Sequence, residues 1–205
     1  MPLIFKLFAI LVVILPQLGS ADSQTGFLTK LSNAALERTE HFVIYNGAYR
    51  SIAYPNGDVP KHIGVCTDVV IRSYRNVGID LQKEVHEDMR SFFAYYPKHW
   101  GLKKTDTNID HRRVPNLRVF FERNGESLPI TLNPEDYNTG DVVTWTVGGN
   151  RPHIGIIVNE RSKDNLRPLV VHNIGWGPKL EDMLFDYPIT GHYRYIGKQS
   201  PSNAS

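Results

Sequence analysis

The chain has 205 residues, with 23 lysines and arginines, 21 aspartates and glutamates, and a net charge of +2 at neutral pH. This balance excludes the strongly basic proteins that bind nucleic acids through their overall charge. A hydrophobic content of 41% is typical of a globular protein, and the length suits one domain with a substantial core. The chain holds a single cysteine, so no disulfide can form within it.

The N-terminus has the pattern of an export signal. Lys6 precedes an apolar run over Leu7–Leu15, Pro16 breaks the run, and Gly19–Ala21 offers small residues for cleavage. A membrane-spanning helix needs about 20 apolar residues, so this run is short for a span. The pattern predicts a cleaved signal peptide, and an uncleaved anchor is the alternative.

The signal defines the expected organisation of the whole chain. We expect residues 1–21 to be the signal peptide, residues 22–199 to form a single domain, and residues 200–205 to be a flexible tail. No segment after the signal is apolar enough to cross a bilayer. The mature protein is therefore expected in a bacterial periplasm or outside the cell.

The first half of the chain shows helical periodicity. Apolar residues recur at intervals of three and four residues in four segments, 28–42, 66–77, 80–96 and 114–123. Gly78 supplies a stop for the second helix, and Asp80 an N-cap for the third. Between the last two helices, residues 98–113 are polar and basic. They predict either a solvated loop or a patch that meets an anionic polymer.

After Pro134 the pattern changes to strands. Four segments are rich in β-branched and aromatic residues and are separated by Gly, Pro and Asn: 141–147, 153–158, 168–173 and 192–196. Short connections between them favour antiparallel pairing. Helices followed by a run of strands predict an α+β fold.

The lone cysteine, Cys66, lies where a turn leads into the second helix. The N–H groups and dipole of a helix N-terminus stabilise a thiolate, and the N–H of Cys66 itself could help bind an oxyanion. The nearby Asp68 opposes thiolate formation and is interpreted as a helix cap. Cys66 is therefore a candidate nucleophile, and an inert buried thiol is the alternative.

Two histidines stand at the ends of predicted strands. His153 opens its strand and His172 closes the next, and in an antiparallel pair these two positions meet at one edge of the sheet. A thiol nucleophile needs a base and an orienting residue, which these histidines could supply, with Asn173 as another orienter. The histidines could also be structural, or could bind zinc together with Cys66. Asp141 is interpreted as a structural residue at a strand start.

Four motifs in this order resemble the NlpC-type, papain-like cysteine peptidases, and more closely an exported bacterial family within that superfamily known as a domain of unknown function: Cys66-Thr67-Asp68-Val69-Val70, Asn138-Thr139-Gly140-Asp141-Val142-Val143, Pro152-His153-Ile154-Gly155 and Val171-His172-Asn173. The resemblance covers residues 34–197. In the better-known members, Asp precedes the cysteine and Ser follows it, whereas Val65 and Thr67 flank Cys66 here.

The resemblance implies a papain-like NlpC-type fold, with N-terminal helices packed on a C-terminal antiparallel sheet. It implies Cys66 as nucleophile, His153 as general base and His172 as the orienting residue, with no cofactor and no metal. The expected activity is that of an amidase or endopeptidase on peptidoglycan stem peptides. A thioesterase or acyltransferase, or a non-catalytic module that binds cell wall or a partner protein, is the alternative.

Overall fold

The computed structural model describes residues 18–198. Most of the expected signal peptide, residues 1–17, and the expected tail, residues 200–205, lie outside the described residues. The first helix begins at Leu18, ahead of the expected cleavage point after Ala21. No helix within residues 18–198 is both long and apolar enough to cross a membrane.

Residues 18–198 contain four α-helices, which form the first part of the fold: α1 Leu18–Arg38, α2 Cys66–Asn76, α3 Leu81–Ser91 and α4 Val114–Asn124. Eight strands accompany them: β1 Ile44–Tyr45, β2 Ile63–Gly64, β3 Glu126–Ser127, β4 Val142–Val147, β5 Arg151–Arg161, β6 Pro168–His172, β7 Lys179–Glu181 and β8 Ile189–Arg194. Strands β1 and β2 form a parallel pair, and the other six form one antiparallel sheet in the order β3-β8-β4-β5-β6-β7. The structure confirms the predicted α+β class.

Helix α2 begins and ends where the sequence predicts. The Asp68 carboxylate accepts the backbone N–H of Val65 at 2.7 Å, which satisfies one of the free donors at the helix N-terminus. Gly78 follows the helix with a φ of 90°, a conformation that glycine adopts without steric cost. The apolar face of α2 is buried in the core with α1 and β5.

Helix α3 is shorter than predicted. Asp80 caps it as expected by accepting the N–H of Gln82 at 3.1 Å, but the helix ends at Ser91 rather than near residue 96. The guanidinium of Arg123 lies 3.9 Å from the ring centre of Phe92 and 4.8 Å from that of Tyr95. These cation–π contacts hold the aromatic pair in a tight 3-10 turn, so tertiary contacts override the helical periodicity.

The sheet buries both of its faces. On β5, Ile154 and Ile156 pack in the core that includes Cys66 and the apolar face of α2. Ile157 packs on the other face, in a second cluster with Trp145. Successive residues of a strand point to opposite faces, so His153 and Ile154 face opposite sides of the sheet.

The polar segment 98–113 is not a solvated loop throughout. Its last part forms a 3-10 turn, Asp110–Arg112, in which all three side chains are buried. Arg112 donates from Nε and Nη2 to the two carboxylate oxygens of Asp68, each at 2.8 Å. Arg112 therefore belongs neither to a solvated loop nor to a surface patch for an anionic polymer, so both interpretations are wrong for this residue. Its side chain is buried in an ion pair with Asp68.

Candidate active site

Cys66 is the first residue of α2, and its side chain is only 5% exposed. The backbone N–H groups of Ile154 and Thr67 and the hydroxyl of Tyr45 hydrogen-bond its sulfur. The N–H of Ile157 bonds to β4, so alternation along β5 turns the N–H of Ile154 toward β6. Strand β6 ends at His172, opposite Gly155, so Ile154 lies one residue beyond the paired part of the two strands.

The Cys66 thiol is uncharged in the folded protein. Burial raises its pKa to about 11, and the nearby Asp68 carboxylate acts in the same direction. The hydrogen bonds from Ile154, Thr67 and Tyr45 favour the thiolate but only partly offset burial. Ionisation of this thiol therefore has to accompany a reaction rather than precede it.

The structure brings the two predicted histidines together with a carboxylate. His153 Nε2 lies 2.9 Å from His172 Nδ1, and His172 Nε2 lies 2.8 Å from an oxygen of Glu181. The two rings are nearly perpendicular at 89°, and the His153 ring also packs against Trp145. These contacts form a line of hydrogen bonds from the start of β5 to the end of β7.

The carboxylate sets the tautomers of both rings. Glu181 can only accept, so His172 donates from Nε2 and its Nδ1 carries the lone pair. His153 must then donate from Nε2, which leaves the lone pair of its neutral ring on Nδ1. Nδ1 is therefore the basic nitrogen that His153 can offer to a thiol.

Gly155 makes room for the histidine pair. It lies directly opposite His172 in the sheet, on the same face as both imidazoles. A Cβ on Gly155 would lie 2.8 Å from Val170 Cγ1 and 3.1 Å from His172 Cβ, closer than packed carbon atoms normally approach. The glycine of the His-Ile-Gly motif thus permits the close pairing of β5 and β6.

Both imidazoles are neutral at physiological pH. Burial lowers the pKa of His153 to about 3, and the neighbouring His172 acts in the same direction. Burial also lowers the pKa of His172, although the Glu181 carboxylate opposes that shift. The His153 ring therefore carries one proton, on Nε2, and can accept a second on Nδ1.

The Cys66 thiol and the His153 ring lie on opposite faces of the sheet, beside adjacent residues of β5. The sulfur contacts the N–H of Ile154, the residue directly after His153, from the side of α2. Within residues 18–198 no hydrogen bond joins the Cys66 sulfur to an imidazole. Catalytic hydrogen bonds are often long or misaligned in a free enzyme and tighten with substrate, so the Cys66–His153 contact stays a prediction.

Asn173 lies apart from the histidine line. Its Oδ1 accepts the N–H of Gly175 at 3.1 Å, and its side chain lines a cavity together with Val65 and Val69. It is adjacent to His172 along the chain, so its side chain faces the helices while His172 faces His153. In this geometry His172, not Asn173, contacts the His153 ring.

The sequence did not identify Tyr45 and Glu181, which belong to strands of two and three residues without a periodic pattern. The other polar candidates have structural partners. Asp141 accepts from His192 at 2.9 Å and from Arg194 at 2.8 Å in a buried network. No cluster of three or more potential metal ligands occurs in the described part of the chain.

Comparisons with known proteins give one family and one curated relative. The family model described as "Domain of unknown function (DUF1287)" matches residues 32–195. The uncharacterized protein YijF of Escherichia coli K12 is 47% identical over 168 residues, which cover 82% of this chain and 82% of YijF. The residues that the family model matches include Cys66, His153, His172 and Glu181.

Among solved structures, the chain is similar to NlpC1 and NlpC2 from Trichomonas vaginalis. Each is 15% identical to this chain, and each match covers 82% of this chain. The TM-scores are 0.44 for NlpC1 and 0.42 for NlpC2. The matched region covers 44% of NlpC1 and 46% of NlpC2, so the chain spans less than half the length of either.

Proposed function

We propose that this chain, which belongs to the DUF1287 family, is a cysteine hydrolase that cleaves amide bonds. In this proposal Cys66 is the nucleophile, His153 the general base and His172 the residue that orients it. The observation that carries the proposal is the line His153–His172–Glu181, which leaves a basic nitrogen at the start of β5, one residue from the thiol contact.

The reaction is an acyl transfer through the thiol. His153 Nδ1 takes the thiol proton as the sulfur attacks the carbonyl carbon of the amide, and the carbonyl oxygen gains negative charge. His153 then gives its proton to the leaving amine, and a thioester with Cys66 remains. His153 next removes a proton from water as the water oxygen attacks the thioester carbonyl, the carbon–sulfur bond breaks to release the acid, and the His153 imidazolium returns its proton to the Cys66 sulfur.

Glu181 has a defined part in this cycle. When His153 becomes an imidazolium ion, it donates to His172, which in turn donates to the Glu181 carboxylate. The negative charge at the end of the line stabilises the positive charge on the base. That stabilisation exists only while the base holds the proton, so it lowers the barrier rather than strengthening substrate binding.

The proposed substrate is a peptidoglycan stem peptide. Support comes from the apolar N-terminal run, which predicts export, and from the resemblance of the four motifs to NlpC-type peptidases. We propose a periplasmic or secreted location on the same grounds. No metal or cofactor is required for the reaction as written.

The test compares the mature protein with Cys66→Ala and Cys66→Ser on purified cell-wall sacculi. Mass analysis of the soluble fraction should show fragments with new amine and carboxyl ends for the wild type and none for either variant. Matching unfolding midpoints would show that the variants fold. Cleavage by Cys66→Ala at the wild-type rate would rule out Cys66 as the nucleophile.

The burial of Cys66 and its raised pKa favour one alternative, a non-catalytic module that binds wall fragments or a partner protein. Binding of sacculi by wild type and Cys66→Ala alike, without fragment release by either, would support that module. A thioesterase or acyltransferase would form the same acyl-thiol intermediate and would be recognised by a thioester substrate or by acyl transfer to an added amine.

A further inference from the structure

The segment from the end of α3 through the two 3-10 turns that follow it combines exposed aromatic rings with basic side chains. We call this segment, residues 90–104, the aromatic–basic patch. It contains four lysines and arginines and no aspartate or glutamate. Because the whole chain has a net charge of +2, the remaining residues together have a net charge of −2. Positive charge is therefore concentrated in this segment.

Two rings of the patch are exposed side by side. Phe92 is 44% exposed and Tyr95 is 68% exposed, and their ring centres lie 6.3 Å apart. The guanidinium of Arg123 packs against both rings and leaves much of their surface in solvent. Single exposed rings are common on protein surfaces, whereas grouped apolar side chains mark surfaces that bind something.

A buried carboxylate holds the two rings in place. The Asp88 carboxylate accepts from the Tyr96 hydroxyl at 2.7 Å and from Arg123 Nε at 2.9 Å. Tyr96 is buried and anchors the turn from inside, while the next residue back, Tyr95, is exposed. The ion pair with Arg123 also neutralises the Asp88 charge. The rings are therefore preorganised, which reduces the conformational entropy lost on binding.

The positive charges of the patch are not neutralised by acidic side chains. No ion pair involves Arg90, Lys98, Lys103 or Lys104 within residues 18–198. All four side chains are exposed, and Lys98 Nζ lies 3.3 Å from the ring centre of Phe93. Apolar rings and unpaired cations therefore occur together on one surface, which fits a partner that is both anionic and apolar.

We propose that the aromatic–basic patch docks the protein on a membrane surface that contains anionic phospholipids. The exposed rings enter the boundary between headgroups and acyl chains, where aromatic side chains are favoured, and the lysines bind lipid phosphates. A soluble polyanion matches the lysines but offers no apolar phase for Phe92 and Tyr95. The inference goes beyond the proposed hydrolase function and does not depend on it.

The patch and the thiol lie near opposite ends of α4. Arg123, which contacts the exposed rings, is in the last turn of this helix. Arg112, whose carbonyl oxygen accepts from Thr67 next to Cys66, precedes its first turn. A helix of 11 residues is about 16 Å long. The candidate active site therefore lies outside the docking surface.

The test measures binding of the mature protein, residues 22–205, to lipid vesicles by sedimentation. This form lacks the apolar run over residues 7–15, which would offer a second way to bind a bilayer. The protein should bind vesicles made from equal parts of phosphatidylcholine and phosphatidylglycerol more tightly than vesicles of phosphatidylcholine alone. Added salt should weaken this binding, because it screens the lysines. Equal binding to the two kinds of vesicle, or none to either, would overturn the proposal.

Two variants locate the binding in the patch. The double variant Lys103→Gln, Lys104→Gln should bind the mixed vesicles at least about tenfold more weakly, since each lysine near an anionic surface contributes about fivefold. Tyr95→Ser should weaken binding at least about threefold, because it removes a ring from the lipid boundary. Both changes are at exposed positions, and matching unfolding midpoints would show that the variants fold.

Matched controls change exposed residues of the same type outside the patch. Lys30→Gln with Lys163→Gln removes two lysines, and Leu166→Ser removes an apolar side chain that is also exposed. Both controls should bind the mixed vesicles as the wild type does. Losses in the controls as large as those in the patch variants would contradict the assignment.

Two other partners would give different results. Dextran sulfate serves as a soluble polyanion without an apolar phase. If the lysine variant loses both dextran sulfate and vesicles while Tyr95→Ser binds both like the wild type, the patch binds an anionic polymer and the membrane proposal is wrong. Self-association of the wild type that Tyr95→Ser abolishes, without vesicle binding, would make the patch an interface between copies and would also overturn the proposal.

Discussion

The chemistry of the candidate site depends on where protons reside before any substrate binds. Burial holds the Cys66 thiol in its protonated form and the His153 ring in its neutral form, with pKa values of about 11 and about 3. At neutral pH the pair is therefore uncharged, in contrast to the thiolate–imidazolium pair of papain-type cysteine proteases. In the proposed reaction, the proton therefore has to pass from the thiol to His153 during attack on the carbonyl.

We expect slow alkylation of Cys66 in the folded protein at neutral pH. The rate should rise with pH toward about 11, because the reactive thiolate forms only as the raised pKa is approached. The measurement is the iodoacetamide rate from pH 6 to pH 11, and the single cysteine makes every adduct report on Cys66. The control is the protein unfolded in guanidinium, in which the thiol has an ordinary pKa of about 8.5. Fast labelling already at pH 6 would contradict a neutral thiol.

Replacing Glu181 by Ala should lower kcat by on the order of tenfold to hundredfold, because His172 loses the acceptor that fixes its tautomer. KM should change little, since Glu181 acts when the base is protonated. The matched control is Glu160→Ala, which removes an exposed carboxylate from β5. An unchanged kcat in Glu181→Ala would show that the carboxylate does not support the base.

The locations of some residues of the candidate site can be predicted from the sequence, and those of others cannot. Cys66, His153 and His172 stand at the ends of long, periodic elements, so the strand and helix patterns locate them. Glu181 reaches His172 through the pairing of β6 with β7, and Tyr45 reaches the thiol through the pairing of β1 with β2. Each pairing involves at least one strand of three residues or fewer. The partner of so short a strand depends on tertiary structure, so the sequence shows no local pattern for it.

Among the elements, α2 depends on a partner outside its own sequence. The Asp68 carboxylate caps the helix N-terminus and also binds Arg112, whose side chain is 2% exposed. A second contact joins the same elements, since the Thr67 hydroxyl donates to the carbonyl oxygen of Arg112 at 3.1 Å. The turn before α4 thereby fixes the start of the helix that carries the thiol.

Arg112→Ala should lower the free energy of unfolding by about 3–5 kcal/mol, because it leaves the buried Asp68 charge without its partner. Denaturant unfolding monitored by circular dichroism measures this change. Arg161→Ala is the control, since its ion pair with Glu135 is exposed and should contribute less than about 1 kcal/mol. Equal decreases in the free energy of unfolding of the two variants would show that burial does not increase the contribution of the Asp68–Arg112 ion pair to stability.

The long elements are the ones that the sequence predicts well. Helices α2 and α4 and strands β4, β5, β6 and β8 occur where hydrophobic periodicity placed them, although some bounds differ. The end of α3 was mispredicted: the helix ends at Ser91, where Phe92 contacts Arg123, a residue distant in sequence. The burial of Arg112 was missed for the same reason, since a run of polar and basic residues shows no partner in the sequence.

On the scale of the whole molecule, several histidines are buried in the neutral form. Burial lowers the pKa of His111 to about 3, as it does for His153, and also lowers that of His172. In the unfolded chain a histidine takes up its proton near about pH 6.5. At these histidines the unfolded state therefore binds more protons than the folded state between about pH 6.5 and pH 3, whereas burial raises the pKa of Asp110 to about 6 and acts in the opposite direction.

We expect the free energy of unfolding to be highest above pH 6.5 and to fall as the pH is lowered toward 3. His111 and His153 each contribute a slope of about 1.4 kcal/mol per pH unit in this range, and His172 acts in the same direction. His111→Gln should reduce the slope without touching the candidate site, whereas the exposed His62→Gln should not. Urea unfolding at a series of pH values tests this, and an identical slope in His111→Gln and the wild type would contradict it.

The position of Glu181 in the sheet has a consequence for the proposed hydrolase activity. Strand β7 has three residues and lies at the edge of the sheet, where β6 is its one strand partner among the described residues. Edge strands with few hydrogen bonds open locally at a lower free energy than the core. Fraying of β7 would release Glu181 from His172 while β4 and β5 remain paired. Hydrolysis should therefore fail at a lower urea concentration than the cooperative loss of secondary structure.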